Sequence, residues 1–153
     1  GRLVSYKRFD LAIRVFNQNG LKLKIVGLGP ELNKLKKIAN KNIEFMGLVS
    51  DKQLADLYAN AKACIFPQEE DFGIVPLESM ASGRPVIAYR AGGALETVIE
   101  NKTGIFFDEQ NIESLQMAIE KFHNTDFSPE ACREQAERFD IEVFKNNILE
   151  KLT

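Results

Sequence analysis

Two glutamates, Glu70 and Glu78, stand eight positions apart in a segment that has the marks of a binding loop. An apolar run at residues 63–66 predicts a strand before them, and Gly73 and Pro76 lie between them. A strand, a glycine-bearing loop and a helix start are how α/β proteins present backbone N–H groups to a phosphate. Because carboxylates repel a phosphate, the two glutamates are expected to face hydroxyl groups. The segment therefore predicts a ligand with a phosphate and a polyol, such as a nucleotide sugar.

Each glutamate also has a simpler interpretation. Glu78 would be a first-turn acid of a helix predicted over residues 75–82, where it would complement the helix dipole by about 0.3–1 kcal/mol. Glu70 would be one loop acid in the acidic cluster 69–71. The two glutamates together, with Phe72 between them, favour the ligand site.

Two basic residues, Arg2 and Lys7, flank the first strand-to-helix loop. In open α/β sheets, ligands bind outside the carboxyl ends of the strands, where this loop is expected to lie. Arginine suits forked phosphate contacts, and lysine acts as a point charge. A basic loop alone is usually solvated surface, but together with Glu70 and Glu78 it predicts a diphosphate site.

Two glycine segments belong to the same predicted edge. Gly47, Leu48 and Val49 follow a strand predicted over residues 43–46, where apolar and backbone groups could hold a base; a plain glycine turn is equally compatible. The Ala-Gly-Gly-Ala segment at residues 91–94 either offers N–H groups to a sugar or phosphate or forms a tight turn.

Strand and helix signals alternate along the whole chain. Strands are predicted over residues 21–26, 43–46, 63–66, 85–89 and 104–107. Helices are predicted over residues 31–40, 50–59, 75–82, 92–100, 112–122, 128–138 and 141–152. Repeated βα units with short loops give parallel sheets that are covered by helices. The predicted fold class is therefore α/β, a Rossmann-like parallel sheet with helices on both faces.

The chain is expected to form a single domain over residues 1–153. Residues 1–123 would be the Rossmann-like core and residues 124–153 the C-terminal helices, with 124–126 as the only plausible linker. Residues 1–4 resemble the inside of a strand and no initiator Met is present, so the chain is expected to be a fragment of a longer protein.

Composition excludes several functions. The net charge of −2 argues against a general nucleic-acid binder. His123 is the only histidine, so a multi-histidine metal site is impossible and a catalytic triad is disfavoured. Cys64 and Cys132 lack metal spacing and are expected to be buried free thiols of a cytoplasmic protein. No membrane span or signal peptide is visible.

A dinucleotide site is also disfavoured. Gly27 and Gly29 begin a glycine fingerprint, but Leu32 stands where the third glycine is needed. A plain strand-to-helix turn is the favoured interpretation, and a dehydrogenase ranks last among the candidate functions.

The pattern as a whole resembles a known family. The matching motifs are Glu70-x7-Glu78, residues 80–88, Gly92-Gly93 with Glu96, the opening Gly-Arg-Leu-Val with Lys7, and Phe45-x-Gly47. They are similar, in order over about 110 residues, to the C-terminal donor half of retaining GT-B glycosyltransferases of glycosyltransferase family 4. Residues 69–76 are particularly similar to bacterial and archaeal mannosyltransferases of polysaccharide assembly, which points to GDP-mannose.

The resemblance implies roles for matching residues. Arg2 and Lys7 would hold the donor diphosphate and offset charge on the leaving nucleotide. Glu78 would accept hydrogen bonds from the ribose, and Glu70 would contact the transferred sugar near its reacting carbon. The implied catalytic residues are thus Glu70, Arg2 and Lys7. Further implied donor contacts are Phe72, Gly73, Ile74 and Val75, with Gly47, Leu48 and Val49 lining the base pocket. No metal or cofactor is implied.

The resemblance also implies partners and a mechanism. The family retains the anomeric configuration, and a same-face route guided by the leaving phosphate is favoured over a Glu70 nucleophile. The N-terminal acceptor half of the enzyme is absent, so this chain is expected to bind donor with little or no transfer. The acceptor would be a saccharide or a lipid-linked sugar, which would bring the parent enzyme to the inner membrane face.

Three alternatives remain open. One is a UDP-sugar-using transferase or an epimerase of the same fold, although His123 in a late helix counts against an epimerase. Another is a non-catalytic nucleotide-binding domain. Lastly, the final helix, with Ile141, Phe144, Ile148 and Leu152 at helical spacing, either crosses towards the other half or packs on its own domain.

Overall fold

The computed structural model describes residues 1–152, without the side chains of Asn147 and Leu152. The strands are β1 (Leu23–Val26), β2 (Ile43–Gly47), β3 (Cys64–Phe66), β4 (Val86–Tyr89) and β5 (Gly104–Phe107). The helices are α1 (Phe9–Asn19), α2 (Leu32–Ile38), α3 (Asp51–Asn60), α4 (Ile74–Ala81), α5 (Ala94–Thr97), α6 (Ile112–His123), α7 (Pro129–Glu137) and α8 (Ile141–Leu152). A short 3₁₀ helix, Ser5–Lys7, precedes α1.

The predicted α/β fold with parallel strands is confirmed. β5 spans the predicted residues, and β3 and β4 each begin one residue later than predicted. The helix predicted over residues 92–100 is shorter, because Val98 is extended and Glu100 forms a parallel bridge with Gly104.

The strands are hydrogen-bonded in two groups. β1 pairs with β2, and β3, β4 and β5 form a second sheet in that order. All pairs are parallel, with Leu23 opposite Ile43 and Val86 opposite both Cys64 and Gly104. Since parallel strands point the same way, the loops that follow them gather at one edge of each sheet.

The first four residues are not part of a strand, so that prediction is wrong. The segment is held by hydrogen bonds from Gly1 N to Val26 O (2.7 Å), from Leu3 N to Leu28 O (2.9 Å) and from Glu31 N to Leu3 O (3.1 Å). A Cβ at Gly27 or Gly29 would collide with the backbone of this segment. The two glycines therefore allow close packing of two chain segments, which supports the plain-turn interpretation.

Two apolar clusters cover the three-stranded sheet. Ile87 and Ile105 pack in one cluster with residues of α1 and α6, and the same cluster reaches the β1–β2 sheet. Val86, Ala88 and Phe106 pack in the other cluster with residues of α4 and α7. Successive residues of a strand point to opposite faces, so this alternation puts helices on both faces.

The C-terminal helices differ in how they pack. Cys132 of α7 is fully buried, and Gln135 donates to the carbonyl of Thr97 (2.9 Å).

Cys64 is only partly buried, although burial raises the pKa of its thiol to about 12. Both thiols are free.

The apolar side chains described for α8 point to solvent. Ile141, Phe144 and Ile148 are exposed, so the alternative that they pack on their own domain is wrong. The side chain of Leu152 lies outside the described residues. Within residues 1–152, none of the helices combines the length and the apolar character that crossing a membrane requires.

Candidate functional site

The predicted site residues lie on loops at the carboxyl ends of the strands. These loops are residues 27–31 after β1, 48–50 after β2, 67–73 after β3, 90–93 after β4 and 108–111 after β5. Together with the 3₁₀ helix Ser5–Lys7 they are called the carboxyl-end rim below. Ligands of open α/β proteins bind at this edge.

An ion pair joins two of the predicted residues. Lys7 Nζ lies 2.9 Å from Glu70 Oε1, and their side chains are only 14% and 25% exposed. Gln68, which is buried, donates from Nε2 to the same carboxylate oxygen at 3.3 Å. A cation suited to phosphate and a carboxylate suited to hydroxyl groups are thus in direct contact.

The first residues of the chain pass beside Lys7. A Cβ at Gly1 would lie 3.4 Å from Lys7 Nζ. Arg2, next to Gly1, has an exposed side chain on the same segment.

The turn at Gly92 and Gly93 holds the loop that carries Glu70. The N–H of Gly93 donates to the carbonyl of Glu70 at 2.8 Å. A Cβ at Gly92 would strike the Glu70 backbone, and one at Gly93 would strike the Phe72 backbone. Because its N–H is already used, Gly93 acts through close packing of two loops, and the tight-turn alternative is the correct one there.

Helix α4 begins with free backbone donors. Gly73 at its N-cap has φ 77°, and no side chain caps the helix. Pro76 has no N–H, so the open donors of the first turn are those of Ile74 and Val75. The helix starts one residue earlier than predicted, since glycine readily takes this left-handed conformation. Such a helix start favours an anion.

Glu78 is in the second turn of α4, not the first, so the interpretation of Glu78 as a first-turn acid is wrong. Its Oε2 accepts a hydrogen bond from the Tyr58 hydroxyl at 3.0 Å. Burial raises the pKa of Tyr58, and the neighbouring Cys64 and Glu78 raise it further. The phenol therefore stays protonated and keeps donating. Sequence reasoning missed Tyr58, which lies 20 positions before Glu78 and on a different helix.

The remaining predicted contacts differ in exposure. Gly47 ends β2 with φ 67°, Leu48 is 77% exposed, and Val49 is half-buried. Phe72 is partly exposed, and its ring meets the ring of Phe139 edge-on, with centroids 6.1 Å apart. Phe72 therefore also ties the Glu70 loop to the junction between α7 and α8.

No metal centre was found within the described residues: no three His, Cys, Asp or Glu side chains are grouped as ligands there. His123 lines a cavity of about 300 Å³ together with Arg84 and Pro85. Pro85 directly precedes β4, so this cavity lies at the amino ends of the strands, away from the rim.

The α/β fold with parallel strands matches the C-terminal half of GT-B glycosyltransferases. HepE of Anabaena in complex with UDP-glucose superposes with a TM-score of 0.80 at 24% identity, covering 99% of this chain and 46% of that chain. The glycosyl transferases group 1 family matches residues 1–139. The chain belongs to that family.

Two relatives have names that state different activities. The GDP-mannose-dependent alpha-(1-6)-phosphatidylinositol monomannoside mannosyltransferase of Mycobacterium tuberculosis is 37% identical over 114 residues, covering 66% of this chain and 30% of the relative. Sulfoquinovosyl transferase SQD2 of Arabidopsis thaliana is 30% identical over 150 residues, covering 92% of this chain and 29% of the relative. The chain thus spans about a third of the length of these relatives.

Proposed function

We propose that the carboxyl-end rim binds a nucleotide-diphosphate sugar, with GDP-mannose as the best candidate, and that the chain is the donor-binding half of a retaining glycosyltransferase. The observation that carries this proposal is the 2.9 Å ion pair of Lys7 and Glu70, which lies on the loop that leads into the open start of α4. It joins a phosphate-binding cation to a hydroxyl-binding carboxylate, the two chemistries that such a donor combines.

The diphosphate would lie between the basic segment and the start of α4. Lys7 and Arg2 supply positive charge, and the N–H groups of Ile74 and Val75 supply hydrogen bonds. As the bond to the sugar breaks, negative charge grows on the departing phosphate, and preorganised cations stabilise it. On this proposal no metal or cofactor is needed.

Hydroxyl groups would be held by the two glutamates. Glu70 contacts the transferred sugar once Lys7 turns to the phosphate, and Glu78 accepts from the ribose. Tyr58 uses only Oε2 of Glu78, so Oε1 is left for the ligand. The base would lie along Gly47, Leu48 and Val49, which close β2 at the rim.

The nature of the donor is supported by the relatives. The mycobacterial mannosyltransferase is named as GDP-mannose-dependent, and its 37% identity favours that donor. HepE was crystallised with UDP-glucose, so a UDP-sugar is the second candidate. A non-catalytic nucleotide-binding domain is a third, and the paired Lys7 and Glu70 weigh against it.

Transfer would need the rest of the enzyme. We propose a same-face route in which the leaving phosphate guides a saccharide or lipid-linked acceptor, held mainly by an N-terminal half. The parent protein would work in the cytoplasm, at the inner membrane face. The chain alone would bind donor and transfer little or no sugar.

Calorimetric titration tests the proposal. The folded chain is titrated with GDP, GDP-mannose, UDP-glucose and NAD, alongside the variant Arg2→Ala/Lys7→Ala. The control is Lys22→Ala/Lys41→Ala, which removes the same charge from exposed positions that precede β1 and β2. We expect GDP-mannose binding that only the first variant abolishes.

Each other outcome has a defined meaning. Preference for UDP-glucose keeps the donor site and overturns the mannosyl assignment. An equal loss of affinity in both double variants would mean that overall charge, and not the position of Arg2 and Lys7, accounts for the effect. Binding of nucleotide with no difference between GDP and GDP-mannose favours the non-catalytic alternative.

A further inference from the structure

Arg8, next to Lys7, has an unusual backbone conformation. Its φ of 53° and ψ of 33° place it in the left-handed region, where it ends the 3₁₀ helix and precedes α1. The backbone of a residue other than glycine is strained in this region, and such strain persists only where surrounding contacts hold the residue in place. The structure must therefore contain groups that fix Arg8.

Gln110, in the loop after β5, is one of those groups. Arg8 Nη1 donates to Gln110 Oε1 at 3.2 Å, and Arg8 Nη2 donates to the Gln110 carbonyl at 3.4 Å. Asp10 adds a local ion pair, with its Oδ1 3.4 Å from Arg8 Nε. Gln110 thus accepts two hydrogen bonds from the guanidinium of Arg8, which lies 102 positions away in the chain.

The other end of the same amide reaches the loop after β3. Gln110 Nε2 donates to the carbonyl of Pro67 at 2.8 Å, so both functional atoms of the side chain are used. Pro67 is three positions before Glu70 and is buried. One half-buried side chain therefore joins the segment that carries Lys7 to the segment that carries Glu70.

We propose that Gln110 is a positioning residue, which holds Lys7 and Glu70 at contact distance and so prepares the rim for a donor diphosphate and its sugar. The inference rests on the proposed function for the ligand, but the positioning itself can be measured without one. Gln110 does not touch the ligand on this view; it acts through Arg8 and Pro67.

The first test measures the accessibility of Lys7. Lysine acylation followed by mass spectrometry gives a labelling rate for each lysine, and the ion pair protects Lys7. Gln110→Met keeps the side-chain length and the backbone contact with Arg8 Nη2, but it loses the two side-chain hydrogen bonds to Arg8 and Pro67. We therefore expect Lys7 labelling to rise about tenfold. Glu70→Gln, which frees Lys7 directly, sets the upper limit.

A matched control separates this effect from general loosening. Gln116 is also half-buried and also uses both ends of its amide, with Asn19 and Glu120, but within α1 and α6. Gln116→Met is expected to leave Lys7 labelling unchanged. An unchanged Lys7 rate in Gln110→Met, or an equal rise in both variants, would overturn the proposal.

A second variant guards against misfolding. Arg8→Gly removes the guanidinium and lets the backbone keep φ 53° without strain. We expect it to remain folded by circular dichroism and to raise Lys7 labelling like Gln110→Met. A folded Arg8→Gly variant with wild-type labelling would contradict the role assigned to Gln110.

Donor binding then tests the functional part through a double-mutant cycle. Gln110→Met should weaken GDP-mannose binding about tenfold in the wild-type background and clearly less in a Lys7→Met background, where only the Glu70 loop is left to position. Equal losses in both backgrounds would mean that Gln110 does not act through Lys7. If the wild type binds no nucleotide sugar, the proposed function fails, while the labelling result still decides the positioning.

Discussion

The two carboxylates of the rim are held in opposite ways. Glu70 sits on a loop, 2.9 Å from the charge of Lys7, and Gln68 shares the same oxygen. Glu78 sits on a helix and is held by the neutral hydroxyl of Tyr58 at 3.0 Å. The loop-borne Glu70 is thus paired with a charged group, whereas the helix-borne Glu78 is held by a neutral hydroxyl group.

This difference separates a contact that must change from one that need not. A phosphate that binds Lys7 competes with Glu70, so the ion pair must rearrange when an anion arrives. The hydrogen bond between Tyr58 and Glu78 leaves one oxygen open and can persist in the complex. The loop-borne Lys7 and Glu70 suit the part of a ligand that reacts. The helix-borne Glu78 suits a part of the ligand that stays the same during the reaction.

The largest expected effect comes from a substitution that disturbs only the loop that carries Glu70. Gly93→Ala would push against the Phe72 backbone and displace the loop of Glu70. Overpacking of this kind lowers the free energy of unfolding by about 3 kcal/mol. Urea unfolding measures the loss. Gly20→Ala is the control, since Gly20 has open space around its Cβ and should lose only about 1 kcal/mol from its φ of 71°. Equal losses would refute the packing argument.

Exchanging each carboxylate for an amide sharpens the comparison. Glu78→Gln should weaken GDP and GDP-mannose equally, by about tenfold, because the ribose is common to both. Glu70→Gln should weaken only GDP-mannose, while GDP binding is retained or strengthened because Lys7 is released. Calorimetric titration of both variants with both ligands measures this. A Glu70→Gln variant that loses GDP affinity would contradict the assigned roles.

A smaller effect on binding is expected when the hydroxyl group of Tyr58 is removed. Tyr58→Phe removes the hydrogen bond to Glu78 and should weaken both nucleotides about fivefold, or about 1 kcal/mol. The control is Tyr89→Phe, since Tyr89 packs through its ring against Phe107. If Tyr58→Phe binds both ligands as the wild type does, Glu78 does not depend on its partner.

The smallest effect concerns Glu100, a carboxylate that is paired with Arg90 of the rim and with Lys121 of α6. The hydrogen bond from Arg90 lowers the pKa of Glu100, and Lys121 contributes in the same direction. The stabilisation is thus complete above the ordinary glutamate pKa of about 4.3 and is lost as the pH falls through the lower folded value. At this partly exposed site it amounts to about 0.5 kcal/mol. Unfolding of Glu100→Gln from pH 7 to pH 3 should show a flatter acid limb than the wild type.

Much of the fold could be predicted because its signals are local. Alternating apolar runs and glycine turns gave the strands to within one or two residues, and the Ser50–Gln53 capping box gave the start of α3. The start of α4 was missed by one residue because the conformation of Gly73 decides it. Residues 1–4 were mistaken for a strand because their apolar pattern fits any buried extended segment.

The site residues could be predicted only one at a time. The pairing of Lys7 with Glu70 spans 63 positions and depends on how two loops pack, which no local pattern encodes. Tyr58 carries no signal in the sequence, since a tyrosine on an amphipathic helix is usually core. The role of Gly93 was left open between two alternatives until the contact with Glu70 decided it.

The division of the strands into two sheets has a consequence for local unfolding. Within the described residues, no strand pairing joins β1 to β3, so the two groups are coupled through the apolar cluster that includes Ile25, Ile87 and Ile105. Side-chain packing of this kind can open while each ladder stays intact. In hydrogen exchange, the amides of β1 and β2 should therefore form a separate, faster-exchanging group than those of β4. The Gly47–Leu48 turn would open with that group, so a ligand that touches the turn should slow the exchange of the whole β1–β2 unit.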